Sequence, residues 1–204
     1  MFESLLTLDG NILLWIQEYI RNDVLTPIMR FITTLGDAGA IWIVLALVLL
    51  CFKKTRKIGL LVGASLIGSL LVNNIVLKNL IGRIRPYEVI SELQILIDKP
   101  LEYSFPSGHT GSSFAAGVTL FLCCPKKYGV PALVLAFLIA VSRLYVGVHY
   151  PTDVLGGMLT GTLRMSSSMV NPRLLVLYNP FWKSEASPRF EMINQIVEPS
   201  FSLF

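Results

Sequence analysis

Long apolar stretches separated by short polar ones dominate this chain. Runs at about 38–52, 58–81, 109–124 and 129–147 stand out, with a weaker one from about 152. Each strong run approaches or exceeds the roughly 15–25 residues that a bilayer-crossing helix uses. The pattern predicts an all-α fold, a multi-pass transmembrane bundle of about five to six helices. The stretch Leu5–Ile20 differs, because Asp9, Gln17 and Glu18 interrupt its apolar pattern. It predicts an N-terminal amphipathic segment lying in the membrane interface. Residues 24–35, with Pro27 and Arg30 inside, predict a short half-embedded helix leading into the next span.

Composition supports a bilayer. Of 204 residues, 53% are hydrophobic and 15% charged, against about 25% charged in ordinary soluble domains. Mean hydropathy is +0.65. A net charge of +4 is too small to suggest a nucleic-acid partner; membrane lipids are the expected surroundings. Cys51, Cys123 and Cys124 do not make a disulfide framework and read as reduced packing residues. No secretory signal is expected, because the first residues lack a basic segment and a small-residue cleavage site. The predicted domain covers 1–178, with a polar tail at 179–204.

Short basic loops tend to stay in the cytoplasm. Lys53, Lys54, Arg56 and Lys57 follow the first strong run, and Lys126 and Lys127 follow the third. Both loops therefore fall on one side. The start of the first run, the 82–108 connection and the 148–153 turn fall on the other, extracytoplasmic, side. Arg83, Arg85 and Lys99 in that connection run against the rule.

This alternation returns a set of polar residues to one membrane edge: Lys78, Arg85, Ser107-Gly108-His109, Arg143, His149 and Asp153. Each has a bland reading. Lys78 alone would snorkel from a helix end, the arginines would anchor an interface, Ser107 would cap a helix, and His149 with Asp153 would be a structural pair. Convergence of all of them is harder to explain that way, since ionisable groups at membrane depth are costly. Together they suit phosphoryl transfer. Lys78, Arg85 and Arg143 supply positive charge, with arginine forks matching phosphate oxygens. A helix opening at Ser107-Gly108 aims free N–H groups at an anion, and Gly108 leaves room for its approach. A neutral His149 can attack phosphorus while Asp153 fixes its tautomer. His109 can protonate the leaving oxygen. No P-loop, H-E-x-x-H or G-x-S-x-G pattern competes, and three cations at one edge would repel a metal ion, so no metal and no cofactor is expected.

Three motifs carry a family resemblance: Lys78 followed by NLIGRI and Arg85-Pro86; Pro106-Ser107-Gly108-His109; and Ser142-Arg143, LYVGV, His149, YPT, Asp153. The chain resembles the type 2 phosphatidic acid phosphatase (PAP2) superfamily, particularly its compact bacterial membrane members such as undecaprenyl-diphosphatases. The motifs span 78–153, and the flanking helical pattern is similar over roughly 30–165. The resemblance implies a lipid phosphate or diphosphate as substrate, of the undecaprenyl diphosphate, phosphatidic acid or phosphatidylglycerol phosphate class. It also implies a phosphohistidine on His149 oriented by Asp153, His109 as general acid, and no metal. Lys78, Arg85, Ser107, Gly108 and Arg143 would hold the phosphate oxygens, and Arg83 at most supports them. The alternative is a non-catalytic lipid-phosphate-binding or scaffolding relative, which would be expected to have lost one of these residues.

The family's closing helix is the point of departure. Arg164 and Ser166-Ser167-Ser168 interrupt the apolar run after Asp153. Thr152 to Leu163 would give only ~18 Å of helix at about 1.5 Å per residue, short of the ~30 Å hydrocarbon core. A continuation through Leu174–Tyr178 would be needed to complete the crossing.

Overall fold

The computed structural model describes residues 2–167. They form helices and no strand. Helix α1 (Phe2–Trp15) runs into a wider π turn at Ile16–Ile20. Helix α2 (Leu25–Leu35) and α3 (Ala40–Cys51) are joined by a 3-10 turn at Asp37–Gly39. Helix α4 (Arg56–Ser69) continues through a π stretch at Leu70–Leu77 into α5 (Lys78–Ile81). A short α6 (Pro86–Val89) precedes α7 (Gly108–Cys123), α8 (Lys126–Tyr145) and α9 (Pro151–Ser167).

Arg56–Val89 and Lys126–Tyr145 are long and apolar enough to cross a membrane, and α2 with α3 adds a third candidate bent by 48°. The bend has a local cause. Ala38 (φ 51°) and Gly39 (φ 71°) both adopt left-handed backbone, which ends α2 and restarts the chain as α3. Helix α7 is shorter and less apolar because its first turn carries Gly108-His109-Thr110-Gly111-Ser112.

The predicted boundaries hold to within about three residues. The fourth run begins earlier than its apolar residues do, because Pro125 starts the helix and Lys126 and Lys127, good helix formers, continue it. The last helix extends to Ser167 and has 17 residues, about 25 Å, so Arg164 does not stop it. The proposed continuation at Leu174–Tyr178 and the tail at 179–204 lie outside the described residues.

The main core lies between α3, α4, α7 and α8, where Trp42, Val62, Ala116, Leu120 and Ile139 are buried. Apolar side chains such as Val44, Ile67, Phe137 and Leu159 are exposed on the outside of the bundle, as expected where lipid replaces water. Cys123 and Cys124 are buried, Cys51 is exposed, and none is bridged. Helix α1 is more than an interfacial segment. Leu13 packs with Leu93 and Tyr150, and Asp9 is buried at 3% exposure.

Helices α7 and α9 cross at small residues. A Cβ on Gly157 would lie 2.7 Å from the Ser107 carbonyl oxygen, and one on Gly161 would lie 2.6 Å from that of Gly111. Such small-x-x-x-small faces let membrane helices approach backbone to backbone. Replacing Gly161 with leucine must push α9 off α7. Overpacking of this kind costs about 1–3 kcal/mol, so Gly161→Leu is expected to lower the melting temperature in detergent. A melting temperature equal to wild type would contradict the close crossing.

Candidate active site

Three connections meet at one end of the bundle: the α2–α3 turn, the long 82–107 segment and the α8–α9 turn. Their side chains build the site. Gly82 (φ 59°) terminates α5, so the chain leaves the span just after Lys78 and carries Arg83 and Arg85 across this end. Ser107 caps α7, its Oγ accepting from Thr110 N at 3.4 Å. The Ser107 N–H in turn donates to the Asp153 carbonyl at 3.0 Å. The start of α7 is thereby tied to the start of α9.

His149 lies in the α8–α9 turn at 1% exposure. Its two ring nitrogens face different partners. Nδ1 is 3.5 Å from Asp153 Oδ2, an electrostatic contact longer than a good hydrogen bond. Nε2 is 3.3 Å from Arg85 Nη1. Arg85 also donates to the carbonyls of Glu102 (2.6 Å) and Val148 (2.8 Å), so its guanidinium is fixed by backbone.

Asp153 is fully buried and densely bonded. Its Oδ2 accepts from Ser104 Oγ (2.5 Å) and Tyr150 N (2.9 Å), and its Oδ1 from Arg83 Nη1 (2.7 Å). On the opposite wall, Arg143 donates from Nη1 to Thr33 Oγ1 at 2.6 Å. The Arg143 Nε is buried with no hydrogen-bond partner among the described residues. Lys78 pairs with Glu102, and His109 Nε2 lies 2.9 Å from Asp37 Oδ1. At Gly108 a Cβ would come within 2.7 Å of Asn74 Oδ1, so a larger residue there must displace the Asn74 side chain.

Of the site residues expected from the sequence, all except Ser107 and Asp153 border one cavity of about 1730 Å³. Lys78, Arg85, Gly108, His109, Arg143 and His149 line its polar end. Ile43, Leu47, Leu60 and Leu70 line the rest, between α3 and α4. Ser107 and Asp153 sit behind this wall, and Ser107 is completely buried. Its side chain is spent on capping α7.

Burial pushes the His149 imidazole down to about 3 from 6.5, and Arg85 and Arg143 add to that while Asp153 opposes it. The ring is therefore neutral at neutral pH. At the mouth, the Lys78 ammonium holds the Glu102 carboxyl below its usual range.

Several groups at this site carry no motif. No motif marks Asp37, Glu102, Ser104, Asp9 or Thr33, and Arg83, expected at most to support the phosphate ligands, pairs with both Asp9 and Asp153. Asp9 had a usable signal, a carboxylate within an apolar helix. Asp37 sits at the junction of two apolar runs, a position compatible with any polar residue. Glu102 and Ser104 lie in a segment without periodicity, where nothing marks one polar residue over another.

Residues 58–170 match the PAP2 superfamily. An undecaprenyl-diphosphatase of Sulfolobus acidocaldarius is 36% identical over 145 residues, covering 71% of this chain and 69% of that protein. Among solved structures, the transmembrane PAP2 type phosphatidylglycerolphosphate phosphatase from Bacillus subtilis superposes with a TM-score of 0.63 at 27% identity, covering 91% of this chain and 89% of the other. Aquifex aeolicus LpxE superposes with a TM-score of 0.66 at 26% identity, covering 78% and 91%.

The His149 shift carries a stability consequence. An unfolded imidazole takes a proton below about 6.5, whereas the folded one takes it only near 3. The unfolded state thus binds more protons between those values, so this contribution is complete above pH 6.5 and declines as pH falls toward 3. The melting temperature of wild type should therefore fall more between pH 7 and pH 5 than that of His149→Gln. Equal falls would mean that His149 is not held neutral.

Proposed function

The chain belongs to the PAP2 superfamily, and we propose that it hydrolyses the phosphate or diphosphate of a membrane lipid through a phosphohistidine, without metal. The observation that carries this reading is a single cavity, cationic at one end and apolar along the rest. A phosphate ester with a long hydrocarbon chain matches both ends; a soluble phosphate ester would leave the apolar groove unused. Relatives named for undecaprenyl diphosphate and phosphatidylglycerophosphate fit the same description and span both candidate lipid classes.

In the proposed reaction, Lys78, Arg85 and Arg143 bind the phosphate oxygens, aided by the α7 amino terminus at Gly108. Neutral His149 attacks phosphorus through Nε2, the nitrogen on the cavity side, as its P–N bond forms and the bond from phosphorus to the leaving oxygen breaks. The proton on Nδ1 faces Asp153, which stabilises the developing imidazolium as a buried carboxylate does in a catalytic triad. His109 gives a proton to the leaving lipid oxygen. Water then attacks the phosphohistidine, His109 takes its proton, and inorganic phosphate leaves with His149 restored. For the phosphate to reach Lys78, Glu102 must give way. The donor set supports metal independence: the described residues hold no group of three or more His, Cys, Asp or Glu side chains suited to a cation, while cations line the pocket.

Phosphate release from a detergent-solubilised panel of prenyl diphosphate, phosphatidic acid and phosphatidylglycerophosphate tests the reading. Activity should persist in EDTA. His149→Ala should abolish turnover, and Arg143→Ala should reduce kcat/KM by about a hundredfold or more, as loss of a preorganised charge contact does. Full activity in His149→Ala removes the nucleophile, and EDTA sensitivity removes the metal-free mechanism.

The basic loops at 53–57 and 126–127 support an active site facing the extracytoplasmic side of a cell membrane. We take 1–178 as one membrane domain. In a cysteine-free background, Glu92→Cys in intact cells should react with an impermeant maleimide, and Lys54→Cys should not. The reverse pattern would invert the topology.

A further inference from the structure

Helix α1 lies outside the residues that match the family and outside all three motifs, yet it sends a carboxylate to the back of the reaction centre. We propose that Asp9 and Arg83 are positioning residues for His149, acting through Asp153. The inference rests on the reading that His149 is the reacting group.

The connection can be followed atom by atom. Asp9 is buried, and a buried carboxylate is tolerated only when paired and hydrogen-bonded. Its Oδ2 accepts from Arg83 Nη2 at 2.8 Å and from the Thr152 hydroxyl, and its Oδ1 from Thr152 N at 3.1 Å. The other arm of Arg83, Nη1, donates to Thr152 Oγ1 at 2.6 Å and to Asp153 Oδ1 at 2.7 Å. The guanidinium also lies 3.9 Å above the Tyr150 ring centre, which holds its plane. One fork thus spans two carboxylates, one on α1 and one on α9. The second carboxylate faces His149 Nδ1 through its remaining oxygen.

Two physical reasons make this more than a way to dock α1. Docking needs no ions, because Leu13 already packs with Leu93 and Tyr150, and buried ion pairs contribute little net stability compared with apolar packing. The charge balance matters as well. Arg83 alone would neutralise Asp153 and weaken its pull on the Nδ1 proton. Asp9 draws part of that positive charge away, so Asp153 keeps the negative character an imidazolium needs. Lysine could not replace Arg83, since one ammonium cannot reach both carboxylates with a planar fork.

The test uses the full chain in detergent, with the panel lipid that turns over fastest and inorganic phosphate as a competitive probe of the cradle. Asp9→Asn preserves shape and removes charge. It should lower kcat about tenfold or more, the usual cost of losing a supporting partner of a functional histidine, with KM and phosphate inhibition unchanged. Arg83→Gln and Arg83→Lys should both do the same. The double variant Asp9→Asn, Arg83→Gln should be no slower than Arg83→Gln alone, because the charge of Asp9 reaches Asp153 through Arg83, and asparagine keeps an acceptor for Thr152. Wild-type kcat in Asp9→Asn overturns the proposal. So does a variant that fails to fold, or one in which kcat, KM and phosphate inhibition all deteriorate together, since each would mark Asp9 as merely structural. Activity in His149→Ala would instead sink the underlying reading. An inactive His149→Ala beside a fully active Asp9→Asn sinks this inference alone.

Discussion

Lys78, Arg83, Arg85 and Arg143 converge at one end of a bundle whose sides are built for lipid, and much of the surrounding structure answers the cost of holding them there. A cation removed from water needs a counter-charge or a set of fixed acceptors. Each receives a different solution. Arg83 is shared between two carboxylates, Lys78 takes one from the loop, and Arg85 is held by two backbone carbonyls. Among the described residues, Arg143 has one hydrogen-bond acceptor, the Thr33 hydroxyl, and the Asp37 carboxylate acts on it without a bond. Positive charge is therefore least compensated beside His149, where an anion would add the missing counter-charge.

The same arrangement explains the division between the two carboxylate-bearing sides of the site. Asp153 and Asp9 are buried and belong to a closed network behind His149. Glu102 and Asp37 have largely exposed side chains and stand at the mouth. These buried carboxylates hold their geometry, because both oxygens of each are hydrogen-bonded. Exposed ones can exchange partners at little cost, so a ligand can compete for Lys78 without dismantling the fold.

Helix α7 joins this chemistry to the packing. Its amino terminus forms part of the cationic end of the cavity, and its body is in contact with α4, α8 and α9. Close approach to α9 is permitted by Gly157 and Gly161, and the Ser107 N–H bonds the Asp153 carbonyl. Small residues that look featureless in the sequence therefore control the distance between the second and third motifs.

Much of this was legible in the chain alone, for a physical reason. Apolar run length is set by bilayer thickness, so the helices at 58–81 and 129–147 could be read locally. A lysine, two arginines, two histidines and an aspartate at fixed spacing around Ser107-Gly108 mark the residues that line or back the cavity before any coordinate is known. Other features depended on contacts between segments distant in sequence. Asp9 and Arg83 are 74 positions apart, and His109 and Asp37 are 72; no local pattern links either pair. The sequence placed Ser107 among the phosphate ligands, whereas the fold buries its hydroxyl as the cap of α7. It also suggested that Arg164 would end the last helix, whereas the observed helix runs on to Ser167. Periodicity and residue chemistry determine which elements form and which titratable groups the chain carries. Only the tertiary structure decides which charges meet, because that pairing is fixed by how the helices cross.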